Sequence, residues 1–136
     1  MAAGQSLNKM DEIRKKVFIV DDDEFLLDMY AVKFRESGFE IEIASSGTDA
    51  LKKIKEGWIP DVILLDLVMP GMDGFEFLKN VKNEKLIPQA VIIILTNLGQ
   101  KEDVERGMSL GVKDYIIKAN HTPSEVVSKV KMALGR

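Results

Sequence analysis

The segment Val17-Phe18-Ile19-Val20-Asp21-Asp22-Asp23 joins a short, unbroken apolar run to a triplet of acids. Its length and β-branched content are those of a strand buried on both faces of a parallel sheet. Val62-Ile63-Leu64-Leu65-Asp66 repeats the pattern. In a parallel sheet both acidic tips arrive at one edge, the carboxyl end, where open α/β folds place their ligand sites. Like charges ~5 Å apart repel by roughly 3 kcal/mol per pair at an effective dielectric near 20. Such a cluster calls for a cation, a raised pKa, or both. An acidic metal pocket is the first expectation.

Outward from these runs, short apolar stretches alternate with amphipathic ones. Strands are expected at Lys16-Val20, Glu40-Ala44, Val62-Asp66, Ala90-Leu95 and Lys113-Ile117. The first helix is expected from Glu24 to about Ser37, with Phe25, Leu26, Met29 and Val32 on one face and Gly38 just beyond its end. A second covers Gly47 to Glu56, capped by Ser46, with Ala50, Leu51 and Ile54 turned inward. A third opens on Asp73-Gly74-Phe75-Glu76, a capping-box-like start, and runs on through Leu78 and Val81. The fourth, Gln100 to Leu110, is the least apolar, with Val104 and Met108 as its clearest anchors. The fifth starts at Thr122-Pro123-Ser124-Glu125, where an N-cap threonine, an N1 proline and an N3 glutamate agree.

Five strands alternating with five helices imply right-handed crossovers and a parallel sheet covered on both sides. Glu40 and Glu42 make the second strand half polar, as suits an edge, and the third and fourth are apolar enough to be central. The expectation is a doubly wound α/β fold, flavodoxin-like (βα)5, with strand order 2-1-3-4-5. The two acidic tips then flank the switch point between the first and third strands.

The remaining totals narrow the function. A chain of 136 residues, 46% hydrophobic and 30% charged, fits one domain with a real core. A net charge of -3 argues against a nucleic-acid module, and the absence of cysteine excludes disulfides and cysteine-ligated zinc. No apolar run approaches the ~20 residues needed to span a bilayer, and Met1 to Lys16 lacks the centre of a signal peptide. A cytoplasmic domain with no membrane or direct nucleic-acid partner is expected. Residues 1–15 read as a flexible tail, with a short helix around Asp11 to Lys15 as a further option.

Asp66 is the candidate nucleophile, although an aspartate ending a strand can also simply begin a turn. Asp21, Asp22 and Asp23 suit an octahedral oxygen site for magnesium, while a single one of them, Asp23, suffices to cap the first helix. Thr96 and Lys118 follow apolar runs and so lie at the same sheet edge; their alternatives are a turn threonine and a surface lysine. Tyr115, Trp58 and Phe39 read as packing residues, and His121, the single histidine, as a solvated loop residue. No glycine-rich phosphate loop follows the first strand, which disfavours nucleotide-binding folds.

Taken together, Val20-Asp21-Asp22-Asp23, the loop Leu65-Asp66-Leu67-Val68-Met69-Pro70-Gly71-Met72-Asp73-Gly74, Leu95-Thr96 and Tyr115-Ile116-Ile117-Lys118 closely resemble the CheY-like receiver domain of two-component response regulators. The resemblance covers about Lys16 to Leu134 and implies a receiver domain over residues 16–136. It implies that Asp66 accepts a phosphoryl group from a phosphohistidine on a histidine kinase or histidine phosphotransfer protein. Asp22 would bind magnesium, or another divalent ion such as manganese, directly, with Asp66 and the backbone carbonyl of Val68; Asp21 would act through a water. Thr96 and Lys118 would hold phosphoryl oxygens, and Thr96 with Tyr115 would form the switch. The output surface would be the fourth helix, fifth strand and fifth helix, meeting a downstream target or forming a homodimer. The domain would be a switch rather than an enzyme with turnover.

Three departures from the family pattern bear on the chemistry. Ala119 stands where proline, joined by a cis bond, is usual, so Lys118-Ala119 is either trans with an altered loop or a cis bond costing roughly 2.5–4 kcal/mol. Asn97 stands where a small residue is usual and is expected to crowd the site. Val68 and Leu98 are apolar where residues in the family modulate dephosphorylation, which implies slow loss of phosphate. Two other functions compete. One is a receiver-like interaction module that does not respond to phosphate. The other is an aspartyl phosphatase resembling haloacid dehalogenases, which would need a second acid where Val68 stands.

Overall fold

In the computed structural model, which describes residues 14–135, the two acid-tipped runs become neighbouring parallel strands. They are β1 (Lys16–Val20) and β3 (Val62–Leu65), with Val17 opposite Val62 and Val20 opposite Leu65. β2 (Glu40–Ala44) pairs with the outer side of β1, and β4 (Val91–Thr96) and β5 (Asp114–Ile117) extend the sheet beyond β3. All pairings are parallel and the order is β2-β1-β3-β4-β5, the expected doubly wound topology. Strand ends differ from expectation by one residue: Asp66 lies just past β3, and Thr96 is the last residue of β4. The expected tail and the optional helix near Asp11 fall on residues 1–13, outside the described residues. Lys15 is not tail-like, since its carbonyl accepts from the Glu40 amide at 2.9 Å.

Alternation along the strands sorts the core into two layers. Phe18, Val20, Ile63, Leu65, Ile92 and Ile94 face α2 (Gly47–Lys55) and α3 (Gly74–Asn83), meeting Leu51, Ile54, Leu78 and Val81. Val17, Ile19, Val62, Leu64, Ile93 and Leu95 face α1 (Glu24–Glu36) and α5 (Pro123–Ala133), meeting Leu27, Phe34, Val126 and Val130. Each such buried side chain contributes about 1.5–3 kcal/mol of transfer free energy. α4 (Lys101–Ser109) packs on the first of these faces, near β5. Trp58 meets Phe18 edge-on and Phe39 meets Phe34 in the same way, so both are packing residues as read.

Helix starts follow the sequence closely. Asp23, Ser46, Asp73 and Thr122 each accept a backbone amide as N-cap, and Thr122 with Glu125 completes a reciprocal capping box. Two helix faces depart from expectation. In α1 the buried set is Leu27, Tyr30, Ala31 and Phe34, whereas Phe25 is 78% exposed and Val32 53% exposed. Apolar residues occur almost all round this helix, so periodicity alone did not choose the inward side. In α4 Met108 is exposed and Gly107 is the buried residue. A Cβ on Gly107 would lie 2.7 Å from Ile94 Cδ1 and 3.3 Å from Tyr115 Cδ2, so this helix docks through a bare stretch of backbone.

Candidate functional site

The loops at the carboxyl edge are positioned by the sheet itself. The Asp21 amide donates to the Ala44 carbonyl at 3.1 Å and the Asp66 amide to the Val20 carbonyl at 2.9 Å, continuing the ladder one residue past the strands. Their side chains therefore leave rigid backbone at the β1–β3 crevice. The loop after Asp66 folds back on the same tip. Gly74 donates to Leu67 O at 3.0 Å, and a Cβ there would stand 2.4 Å from Asp66 O. The glycine that follows the Asp73 cap is thus required by close backbone approach.

Asp21, Asp66 and Thr96 are the buried polar residues among those described. Thr96 Oγ1 donates to Asp66 Oδ1 at 2.7 Å, and the Val68 amide donates to the same oxygen at 3.3 Å. Lys118 Nζ bridges Asp21 Oδ2 at 2.5 Å and Asp66 Oδ2 at 3.1 Å, with only 10% of its side chain exposed. Asp22 is exposed at the mouth. The five residues line one open cleft of about 450 Å³, together with Asp23, Leu26, Val68, Asn97 and Leu98. Every residue expected at the site is thus in or beside this cleft except Tyr115.

Charge is unbalanced there. One carboxylate oxygen from each of Asp21, Asp22 and Asp66 lies within 4.8 Å of the others, and one ammonium faces these three acids. Burial pushes the Asp21 carboxyl above its usual range, against the opposing pull of Lys118. Burial pulls the Lys118 ammonium down, but Asp21 and Asp66 outweigh it and the net direction is up. The lysine is held charged. The two remaining negative charges and an all-oxygen donor set suit a hard divalent cation such as magnesium or manganese. The acids fit the expected ion.

Tyr115 lies behind the cleft on β5. Its hydroxyl donates to the Leu98 carbonyl, in the loop that directly follows Thr96 at the end of β4. Burial, with the Asp103 and Asp66 charges behind it, pushes its phenol up to about 12. Tyr115 is therefore more than packing: it joins β5 to the loop after β4.

The departures at 97 and 119 have a specific outcome. Among the described residues no peptide bond is cis, so Lys118-Ala119 is trans, and residues Lys118–Asn120 form a 3-10 turn. Asn97, expected to crowd the site, lines the cleft, and its Oδ1 accepts the Ala119 amide at 3.0 Å. His121 is not simply solvated: it is half-buried with Nδ1 3.1 Å from the Ile117 carbonyl. The Asn97 contact had no sequence signal, because its partners lie 22 residues apart and only the fold brings them together, whereas the His121 contact is local, spanning four residues across the turn.

Comparison with known proteins bears on the fold and the family. The family described as response regulator receiver domain matches residues 17–131. The DNA-binding response regulator MtrA of Mycobacterium tuberculosis is 35% identical over 127 residues, covering 93% of this chain and 54% of the relative. The phosphate regulon transcriptional regulatory protein PhoB of Escherichia coli is 32% identical over 122 residues, covering 90% of this chain and 52% of the relative. The chain thus spans about half the length of the curated relatives it matches. A CheY-like receiver domain protein of Methanospirillum hungatei superposes with a TM-score of 0.81 at 32% identity, over 90% of this chain and 94% of that one. CheY4 of Vibrio cholerae gives 0.80 at 29% identity, over 88% and 98%. Fold and sequence agree, and the chain belongs to the response regulator receiver domain family.

Proposed function

We propose that Asp66 is a phosphoacceptor and that its modification switches a protein-interaction surface. The observation that carries this reading is the pair of bonds on one buried carboxylate, Thr96 Oγ1 on Oδ1 and Lys118 Nζ on Oδ2. A hydroxyl and an ammonium so placed bind the oxygens of a group attached to Asp66. In the transfer, an Asp66 oxygen attacks phosphorus in line, the P–N bond of a phosphohistidine breaks, and the imidazole leaves. Thr96 fixes one phosphoryl oxygen and Lys118 offsets charge on another. A magnesium or manganese ion held by Asp22, Asp66 and the Val68 carbonyl, with Asp21 through a water, would neutralise charge on the transferring oxygens.

The donor is a histidine kinase or a histidine phosphotransfer protein. The output is a change at α4, β5 and α5, reached through Thr96, which bonds Asp66 from the end of β4, and Tyr115, which bonds Leu98 two residues on in the loop that follows. That surface engages a downstream protein or a second copy. DNA binding is named for the MtrA relative, a protein longer than the matched stretch; the proposal for this domain is protein contact, with no direct nucleic acid. The reaction is stoichiometric rather than catalytic turnover. Among the described residues, no helix is long and apolar enough to cross a membrane.

Incubation with a small acyl-phosphate donor tests the reading by intact mass. The expected result is one phosphate adduct that requires magnesium and is lost in Asp66→Asn. A wild-type chain that binds magnesium yet stays unmodified would instead favour an interaction module indifferent to phosphate. Val68 is 59% exposed and Leu98 half-buried, and neither side chain can orient an attacking water. The adduct should therefore persist for minutes or longer once donor is removed; decay within seconds contradicts this.

A further inference from the structure

Lys118 must place its ammonium between two carboxylates from a backbone that lacks the proline common after this lysine in the family. Its turn, Lys118–Asn120, is one short 3-10 segment, closed by a long His121 N–H to Lys118 carbonyl bond of 3.3 Å. Amides in the first turn of such a segment have no acceptor within it. The Ala119 amide finds one in Asn97 Oδ1, at 3.0 Å and 22 residues away in sequence. The far end of β5 is held separately, by His121 Nδ1 against the Ile117 carbonyl. The residue that bonds Ala119 directly follows Thr96, the hydroxyl on Asp66.

We infer that Asn97 is a positioning residue for Lys118, and that Asn97 and Ala119 form one compensated pair. Asn97 supplies the acceptor and a non-proline residue at 119 supplies the N–H; either alone loses the bond. The contact ties the residue that follows Thr96 at the end of β4 to the turn carrying Lys118, so both groups that hold the Asp66 oxygens are set against each other through it. Asn97 does not touch Asp66, and it acts through the lysine. The inference rests on the phosphoacceptor reading for its chemical consequence, but the position of Lys118 can be measured without phosphate.

The first arm is amine-directed acylation of the folded chain, read at each lysine by peptide mass spectrometry. Lys118, with 10% of its side chain exposed, should label slowly, whereas Lys101, 85% exposed, should label fast. Asn97→Ala should raise the Lys118 rate about fivefold, the factor that loss of one ordinary hydrogen bond allows, while leaving Lys101 unchanged. Asn97→Asp keeps an acceptor oxygen and should restore slow labelling. The second arm is the rate of magnesium-dependent phosphorylation by an acyl-phosphate donor. Asn97→Ala should slow it by a similar factor, and should have no further effect in an Ala119→Pro background, which has no N–H to lose.

Lys118 labelling that stays within twofold of wild type in Asn97→Ala overturns the inference. So does an equal slowing by Asn97→Ala in both backgrounds, which would place its effect elsewhere. Faster labelling without slower phosphorylation likewise overturns the positioning role. A wild-type chain that takes no phosphate defeats the phosphoacceptor reading instead, and the labelling arm then decides this inference alone.

Discussion

Asp66, Thr96 and Lys118 illustrate how a buried acid becomes usable. Asp66 is 7% exposed, and a carboxylate so buried persists only with partners on its oxygens. Thr96, the Val68 amide and Lys118 are those partners. Tyr115 offers a separate handle, because its phenol is pushed up to about 12 from the usual 10.0, first by burial and then by Asp103 and Asp66. Above pH 10 the unfolded chain releases this proton while the folded chain retains it. The contribution is therefore fully present below pH 10 and is lost as pH rises towards 12. Ionisation would also remove the donor on Leu98 O. In urea titrations, Tyr115→Phe should show a shallower loss of stability between pH 10 and 12 than wild type; parallel curves would refute the assignment.

At the scale of single elements, two glycines make opposite demands. Gly74 opens α3 against the Asp66 strand tip, and an added Cβ would meet backbone atoms at 2.4 and 2.8 Å. Backbone cannot yield cheaply, so Gly74→Ala should cost about 1–3 kcal/mol and displace the loop that carries Asp66. Gly107 in α4 would meet Ile94 Cδ1 at 2.7 Å, the far end of a flexible side chain. There alanine gains up to ~1 kcal/mol of helix propensity, which offsets the adjustment. Denaturant midpoints should fall clearly for Gly74→Ala and stay within ~1 kcal/mol of wild type for Gly107→Ala. Equal losses at both sites would contradict this account. α4 has a further attachment in Arg106, whose guanidinium carbon sits 4.0 Å from the Phe75 ring centroid. A helix whose one buried residue is a glycine, with Leu110 at its end packed on the core and a cation–π contact at Arg106, is suited to move when the loop before it is pulled.

Over the whole molecule, stability and the site are linked through charge. The sheet has apolar layers on both faces, while its carboxyl edge gathers Asp21, Asp22 and Asp66 around one ammonium. The cluster opposes folding through repulsion, and a divalent cation that bound only the folded chain would offset it. At a free magnesium concentration ten times its Kd, folding should gain about 1.4 kcal/mol. Thermal unfolding with and without magnesium should show this rise, reduced in Asp22→Asn, which removes an exposed acid without touching the core. An identical magnesium response in the two proteins would remove Asp22 from the ion's ligands.

Local chemistry was enough to specify much of this protein. Four apolar residues before an acid define a buried strand and its carboxyl end, and Asp23, Ser46, Asp73 and Thr122 announce helix starts through side chains that reach three residues. Strand alternation with helices then forces both acidic tips to one edge, which places Asp21, Asp22, Asp66, Thr96 and Lys118 together by sequence pattern alone. Three features depended on packing between distant segments. The inward face of α1 was chosen by fit against β1 and α5, since its own residues are apolar almost all round. The anchor of α4 is a glycine, which no hydrophobic pattern registers. The trans turn after Lys118 is held by Asn97, a bond across two loops that exists only once β4 and β5 lie side by side.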